Sequence, residues 1–205
     1  MTQKEKLEYY INKINSDEAL KDEIYDQCTM SFYPAEELEE ELSWLMEGGC
    51  KEGYELVPFS DDGSGGVYVL VNDEHVGYID SEGGAGYLAE TVEDFFNIVL
   101  LFRFIYYSKT AMESYEKYRK AYESDSYFED IRPSELIDNF MKEEGMEFDP
   151  EKVYKKLLKG MTILPDLFIT PEDEEYETSE NLLNMEEDEF RDFCEKWNFV
   201  PESHF

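Results

Sequence analysis

Short segments rich in β-branched and aromatic residues follow one another closely in the middle of the chain, and this feature restricts the fold most. The segments "YELVPF" (54–59), "GVYVLV" (66–71) and "HVGYID" (75–80) are separated by the turn-forming sequences DDGSG and NDE. Strands joined by connections this short pair in antiparallel fashion. The sequence therefore predicts an antiparallel meander, with "GYLA" (86–89) as a candidate fourth strand.

Helical patterns flank the predicted meander on both sides. Before it, apolar residues recur at spacings of three and four from Lys4 to a stop at Gly48-Gly49, with Pro34 suited to the first turn of a later helix. After it, Thr91 begins an apolar run to Tyr107 that is too long for a strand and predicts a helix buried against the sheet. Further helices are predicted at about 110–123, 133–144, 150–159 and 186–197.

These elements predict an α+β fold in which a small antiparallel sheet packs against helices. The 205 residues are 16% aromatic, which is enough apolar surface for a sizeable core. We predict an α+β domain over residues 1–108 and a helical extension over 109–205 that packs on the same core. The acidic stretch at about 170–181 is predicted to be a solvated loop.

The chain carries a strong excess of negative charge. Its 51 acidic and 18 basic side chains give a formal net charge of −33 at pH 7. Such a charge repels phosphates, so we expect no binding to nucleic acid. It favours a basic partner, but it also serves solubility, and composition leaves both roles open.

Cysteine use and hydropathy bear on the location of the protein. Cys28, Cys50 and Cys194 are far apart and lack CxxC spacing, which argues against a disulfide framework and a zinc ribbon. The start, MTQKEKLEYY, has no apolar signal segment, and the most apolar run (98–107) is about half as long as a membrane span. We therefore expect a cytoplasmic protein with reduced thiols that does not enter a membrane.

The stretch DDGSGG (61–66) most resembles an active site, because Ser64 lies among glycines beside two carboxylates. A serine nucleophile needs a histidine base, and only His75 and His204 are available, neither in a triad-like context. An EF-hand interpretation fails as well, because Val69 stands where the bidentate glutamate belongs. We interpret the stretch as a strand connection that its glycines permit.

Other chemical patterns in the sequence are weaker. "GAGYLA" (84–89) matches GxGxxA, but no second strand is predicted after its helix. Two histidines cannot build a three-histidine site, and Asp80 with Glu82 is a short acidic pair in a turn. A carboxylate pair for hydrolysis cannot be selected among 51 acids, so a small hydrolase is the last of the alternatives. We expect no catalytic residues, cofactor, metal or small-molecule substrate.

A binding role fits the remaining features better. Acidic side chains attract a basic protein, and aromatic residues often dominate the energy of an interface. We expect about two-thirds of the 16 tyrosines to lie in the core, which leaves the others available for contacts. The acidic side chains of the turns are the predicted partner-binding residues: Asp61, Asp62, Asp73, Glu74, Asp80 and Glu82.

The run from Tyr54 to Leu100 resembles the central segment of the SUKH superfamily. In that family a "PF..DGSGG" turn, a short hairpin, an "IDSEG" element and a helix carrying "FF" follow in the order found here. The resemblance covers about 34–105, and residues 110–205 have no counterpart in it. The N-terminal family motif, a Leu-Pro pair before an aromatic helix, is matched only by "FYPAEELEEELSWL" (32–45).

This resemblance implies an α+β fold, a non-enzymatic role and, for many bacterial members, immunity against a co-encoded polymorphic or contact-dependent toxin, often a nuclease. Other members are regulatory, so a scaffold that binds an endogenous protein is the alternative. The family pattern contains no catalytic residues to carry over. Asp62 and Asp80 match its motif as turn formers, together with the glycines Gly63, Gly65, Gly66 and Gly83.

Overall fold

The structure, a computed structural model, describes residues 1–46, 53–81, 84–105, 108–124, 134–163 and 187–197. The strands are β1 Ser31–Phe32, β2 Leu56–Asp61, β3 Val67–Val71, β4 His75–Ile79 and β5 Ala85–Ala89. The α-helices are α1 Gln3–Asn15, α2 Glu18–Cys28, α3 Ala35–Leu45, α4 Val92–Phe102, α5 Tyr115–Ser124, α6 Glu135–Glu143, α7 Pro150–Met161 and α8 Glu187–Trp197. A short 3-10 helix spans Ala111–Glu113.

The predicted α+β class and the antiparallel meander are confirmed. The strands form one antiparallel sheet in the order β1-β2-β3-β4-β5, so the candidate fourth strand is present as β5. The sequence did not indicate β1, which adds Ser31 opposite Asp61 and Phe32 opposite Ser60 at the sheet edge. A strand of two residues is too short to show a period-two pattern.

The helix predicted from Thr91 begins where expected and ends early. The Thr91 side chain accepts a hydrogen bond from the Asp94 amide at 3.1 Å, which caps α4. The prediction that this helix continues through Phe104 is wrong, because Arg103 has a φ of 66° and the helix ends at Phe102. The Arg103 side chain is buried, donates to the Leu100 carbonyl and pairs with Asp138 at 3.6 Å. These two contacts of Arg103, one of them to the distant helix α6, accompany the end of α4.

Helices cover both faces of the sheet. The larger core joins one face to α1, α2, α4, α6 and α7, and that face contributes Phe59, Tyr68, Leu70, Val76, Tyr78 and Leu88. On the other face, α3 places Leu42 and the following Met46 over Val67, Val69 and Val71. Every residue of β3 is buried, which explains why its sequence is a continuous apolar run rather than an alternating one.

The described C-terminal helices join the same core as the N-terminal ones. α7 packs on α4 and β5, and α8 contributes Phe193 and Cys194. Whether residues 1–108 form a domain of their own stays a prediction, and the predicted loop at 170–181 lies outside the described residues. The side chains of Cys28 and Cys194 are buried. Among the described helices, none has the length and apolar character to cross a lipid bilayer.

Candidate functional site

Two loops at one end of the sheet share a five-residue pattern. DGSGG (62–66) connects β2 to β3, and DSEGG (80–84) connects β4 to β5, although Glu82 and Gly83 lie outside the described residues. In both loops the aspartate amide donates to the carbonyl of the last glycine, at 3.1 Å from Asp62 to Gly66 and 2.9 Å from Asp80 to Gly84. The last glycine amide donates in return to the aspartate carboxylate, at 2.9 and 2.7 Å. Each aspartate therefore closes its own loop.

The hydrogen bonds of Asp62 use the whole carboxylate. Its Oδ1 accepts from the Ser64 and Gly66 amides at 2.8 and 2.9 Å. Its Oδ2 accepts from the Ser64 hydroxyl at 3.0 Å and from the Tyr78 hydroxyl. A carboxylate has about four acceptor positions, so these bonds saturate it. Asp62 is thereby committed to holding the loop against β4.

Glycine is needed in this loop for two separate reasons. Gly63 and Gly65 have φ values of 71° and 98°, in the left-handed region that other residues rarely adopt. Gly66 lies so close to β4 that a Cβ atom there would be 2.2 Å from the Tyr78 hydroxyl oxygen. Gly63, Gly65 and Gly66 therefore have structural roles in this loop.

A cleft of about 340 Å³ opens between the two loops, and its lining includes Asp62, Ser64, Tyr78, Asp80 and Ser81. The Ser64 hydroxyl donates to Asp62, not to a histidine.

Among the described residues, no histidine completes an acyl-transfer site in this cleft. His75 begins β4, at the far end of the sheet, where its Nδ1 lies 2.9 Å from the Glu90 carbonyl oxygen. His204 lies outside the described residues. Within the described ranges, no three His, Cys, Asp or Glu side chains are grouped so that they could hold a metal ion. The described residues thus assemble neither a serine triad nor a metal centre.

The turn carboxylates predicted to bind a partner lie at two opposite ends of the sheet. Asp61, Asp62 and Asp80 are at the end formed by the two glycine loops. Asp73 and Glu74 belong to the β3–β4 turn, which β3 separates from that end by about 16 Å at about 3.3 Å per strand residue. The structure does not bring the five together into one patch. Glu82 lies outside the described residues.

Several of these carboxylates also have partners inside the molecule. Asp73 accepts a hydrogen bond from the Lys4 amide in the first turn of α1, where the helix dipole favours a negative charge. Asp61 is partly buried and accepts from the Gly63 amide at 3.3 Å, and burial raises the pKa of its carboxyl. Glu74 is exposed. Most of the turn acids therefore accept hydrogen bonds from within the molecule.

A second acidic surface lies on α3, and the sequence-based prediction missed it. Glu40 and Glu41 precede Trp44 by one helical turn and Glu37 precedes it by two, so the four side chains share one side of the helix. Trp44 is 75% exposed. We call Glu37, Glu40, Glu41 and Trp44 the Trp44 face.

The helical spacing of α3 contains the signal that could have identified this surface. Leu38, Leu42 and Leu45 repeat at intervals of four and three, which marks the side that faces the sheet. Trp44 falls outside that stripe, on the same side as the glutamates. The spacing alone therefore separates Trp44 from the core.

The charge of the Trp44 face is not compensated within the described part of the molecule. α3 contains five glutamates and no basic residue, and none of them takes part in an ion pair between described residues. The basic helix α7 differs, because its lysines all pair with acids. These pairs are Lys152–Glu147, Lys155–Glu151, Lys156–Asp94 and Lys159–Glu90.

Comparisons with protein-family models, with curated proteins and with solved structures found no match. The site is accordingly defined by its geometry: two loops that their own aspartates close, and a helix face on which an exposed tryptophan lies among glutamates.

Proposed function

We propose that this protein has a SUKH-like fold and acts in the cytoplasm as a non-enzymatic immunity protein that binds and neutralises a basic toxin. The observation that carries the proposal is the uncompensated negative charge. Acidic side chains outnumber basic ones 51 to 18, so most carboxylates cannot have a cationic side chain of their own. Self-repulsion of this size disfavours the compact chain, and a basic partner relieves it on binding.

The glycine loops support a structural role for the motif that the family shares. Asp62 directs all its acceptor capacity to the loop and to Tyr78, so it has no acceptor position left for a metal ion or a reacting proton. The Ser64 hydroxyl donates to this saturated carboxylate rather than to a histidine. These hydrogen bonds hold the β2–β3 loop against β4, and this structural use of the aspartate supports a non-enzymatic role for the loop.

The proposed mechanism is occlusion of the toxin. A nuclease must present basic side chains to the phosphates of its substrate. An acidic protein that covers those side chains competes directly with the nucleic acid. Long-range charge then accelerates encounter, and a few buried aromatic contacts slow dissociation.

Co-expression with the toxin encoded beside this gene tests the proposal. We expect the protein to restore growth and to co-purify with the toxin. An unrelated protein of similar negative charge is the control, and it should do neither, because steering by charge does not supply complementary contacts. Toxicity that persists, with no complex formed, would contradict the proposal. Co-purification with an endogenous protein instead would favour the regulatory scaffold.

A further inference from the structure

We infer that the Trp44 face is the docking surface for the partner and that it receives an arginine-bearing protein surface. This inference rests on the proposed function for the class of the partner, and it goes further by naming the place and the chemistry of contact.

The Trp44 side chain does not help to hold α3 on the sheet. Leu42 and Met46 attach α3 to the sheet, and Trp44 contributes nothing to that contact. The second tryptophan, Trp197, is half-buried and packs edge-on to Tyr154 with ring centroids 6.1 Å apart. An indole left in water forgoes the stabilisation that burial provides. Tryptophan is also among the residues that most often dominate binding energy at interfaces.

The glutamates around Trp44 create a local negative charge that no described basic side chain neutralises through an ion pair. Glu37 and Glu41 are four residues apart on one helix, a spacing at which like charges destabilise the helix. None of the ion pairs formed by the described residues reaches α3, so within the described part of the chain this repulsion is not relieved. A cation placed between these carboxylates would remove it. The Trp44 face therefore combines an exposed apolar ring with carboxylates that a cationic side chain could pair with.

Arginine meets both conditions better than lysine does. A planar guanidinium stacks on an indole ring while its N–H groups donate to carboxylates alongside. Lysine brings one compact, strongly hydrated charge and cannot make both contacts in the same way. We therefore assign an arginine-bearing surface to this face.

Two synthetic helical peptides serve as probes, one with arginine along one face and one with lysine at the same positions. A Trp197→Phe background makes Trp44 the only tryptophan that reports binding. We expect the arginine peptide to shift Trp44 emission to shorter wavelength and to bind more tightly than the lysine peptide. Calorimetry should show about a tenfold loss of affinity for Trp44→Ala.

Charge variants distinguish the effect of the Trp44 face on peptide affinity from the effect of the net charge of the protein. The triple variant Glu37→Gln/Glu40→Gln/Glu41→Gln should weaken arginine-peptide binding and reduce its salt dependence. A matched variant removes three negative charges from exposed positions of α1 and α2: Glu8→Gln, Asp22→Asn and Asp26→Asn. It should keep most of the affinity. Tyr25→Ala, which removes an aromatic side chain that is 56% exposed on α2, is the control for Trp44→Ala.

The outcomes distinguish the inference from the proposed function. Equal affinity of Trp44→Ala and the parent protein, or equal losses in the two triple variants, would overturn the docking surface. Equal binding of the two peptides would overturn the preference for arginine. A toxin complex that Trp44→Ala and the α3 triple variant leave unchanged would overturn the docking surface alone. Peptide binding at Trp44 without any toxin complex would overturn the proposed function alone.

Discussion

The hydroxyl of Tyr78 donates a hydrogen bond to the carboxylate of Asp62, and this contact joins β4 to the loop between β2 and β3. The same carboxylate oxygen accepts from Ser64 at 3.0 Å. Two neighbouring hairpins of the meander are thus held together at the end where the sequence most resembles an active site. The serine of that stretch is a donor to the loop-closing aspartate.

Removal of the Tyr78 hydroxyl should destabilise the protein. We expect Tyr78→Phe to lower the free energy of unfolding by about 2 kcal/mol, because a hydrogen bond to a charged group is lost beside a buried ring. Urea denaturation measures this change. Ser64→Ala is the matched control, and it should cost less because Ser64 is exposed and water replaces its hydroxyl. A larger loss for Ser64→Ala than for Tyr78→Phe would contradict the assigned role of this contact.

An alanine at Gly160 should be destabilising, although alanine normally stabilises a helix relative to glycine by about 1 kcal/mol. A Cβ atom at Gly160 would lie 2.3 Å from the Leu88 carbonyl oxygen and 2.5 Å from the Ala89 nitrogen. Both atoms belong to the β5 backbone, so α7 must move away from the sheet. We expect Gly160→Ala to cost about 2 kcal/mol. Thermal unfolding measures it, with exposed Lys155→Ala as a control that should change stability by less than about 0.5 kcal/mol.

Stability should fall as the pH rises above about 9. Burial raises the pKa of Cys28 from its ordinary 9.0 to about 12, and burial is also the main cause that raises the pKa values of Tyr10 and Tyr122 from 10.0 to about 12. Between the unfolded and folded pKa values, the folded protein binds more protons than the unfolded chain does. The contribution of these protonated groups to folding stability is therefore complete below their pKa values in the unfolded chain, about 9 to 10, and is lost as the pH approaches 12.

Urea midpoints measured at increasing pH test this dependence, with phenolate absorbance as a readout of tyrosine ionisation. We expect the midpoint to fall in step with the appearance of phenolate. Tyr25→Phe is the control variant, because Tyr25 is exposed and its loss should leave the alkaline decline unchanged. A midpoint that stays constant to about pH 11 would show that these buried groups do not govern alkaline stability.

Salt should act mainly on the rate of association with the proposed toxin partner. Raising the ionic strength shortens the Debye length from about 30 Å at 0.01 M to about 8 Å at 0.15 M, which removes long-range attraction. We expect a marked decrease in the association rate and a small change in the dissociation rate. Stopped-flow or surface-based kinetics measure both. Trp44→Ala should instead raise the dissociation rate and change the association rate little. An association rate that salt does not affect would remove electrostatic steering from the mechanism.

Much of the fold could be predicted because its determinants are local. The strands β2 to β4 carry β-branched residues between turn sequences, and β5 carries Tyr87 and Leu88. The helix α7 follows the capping residue Asp149 and begins with Pro150. β1 could not be predicted, since its two residues are ordered by pairing with β2. The end of α4 could not be predicted either, because the run remains apolar beyond Phe102 and Arg103 contacts Asp138 in a later helix.

For the candidate site, too, some features could be predicted from the sequence and others could not. Asp62 and Asp80 could be interpreted as turn formers from the glycines beside them, because each aspartate closes its own loop. The sequence also determined the net charge and the position of Trp44 outside the apolar stripe of α3. Only the tertiary structure decided that the turn acids divide between two ends of the sheet, and that Trp44 stays exposed beside glutamates without ion-pair partners among the described residues. The reason is that periodicity and turn geometry depend on near neighbours, whereas burial and ion pairing depend on residues that folding brings together from distant parts of the chain.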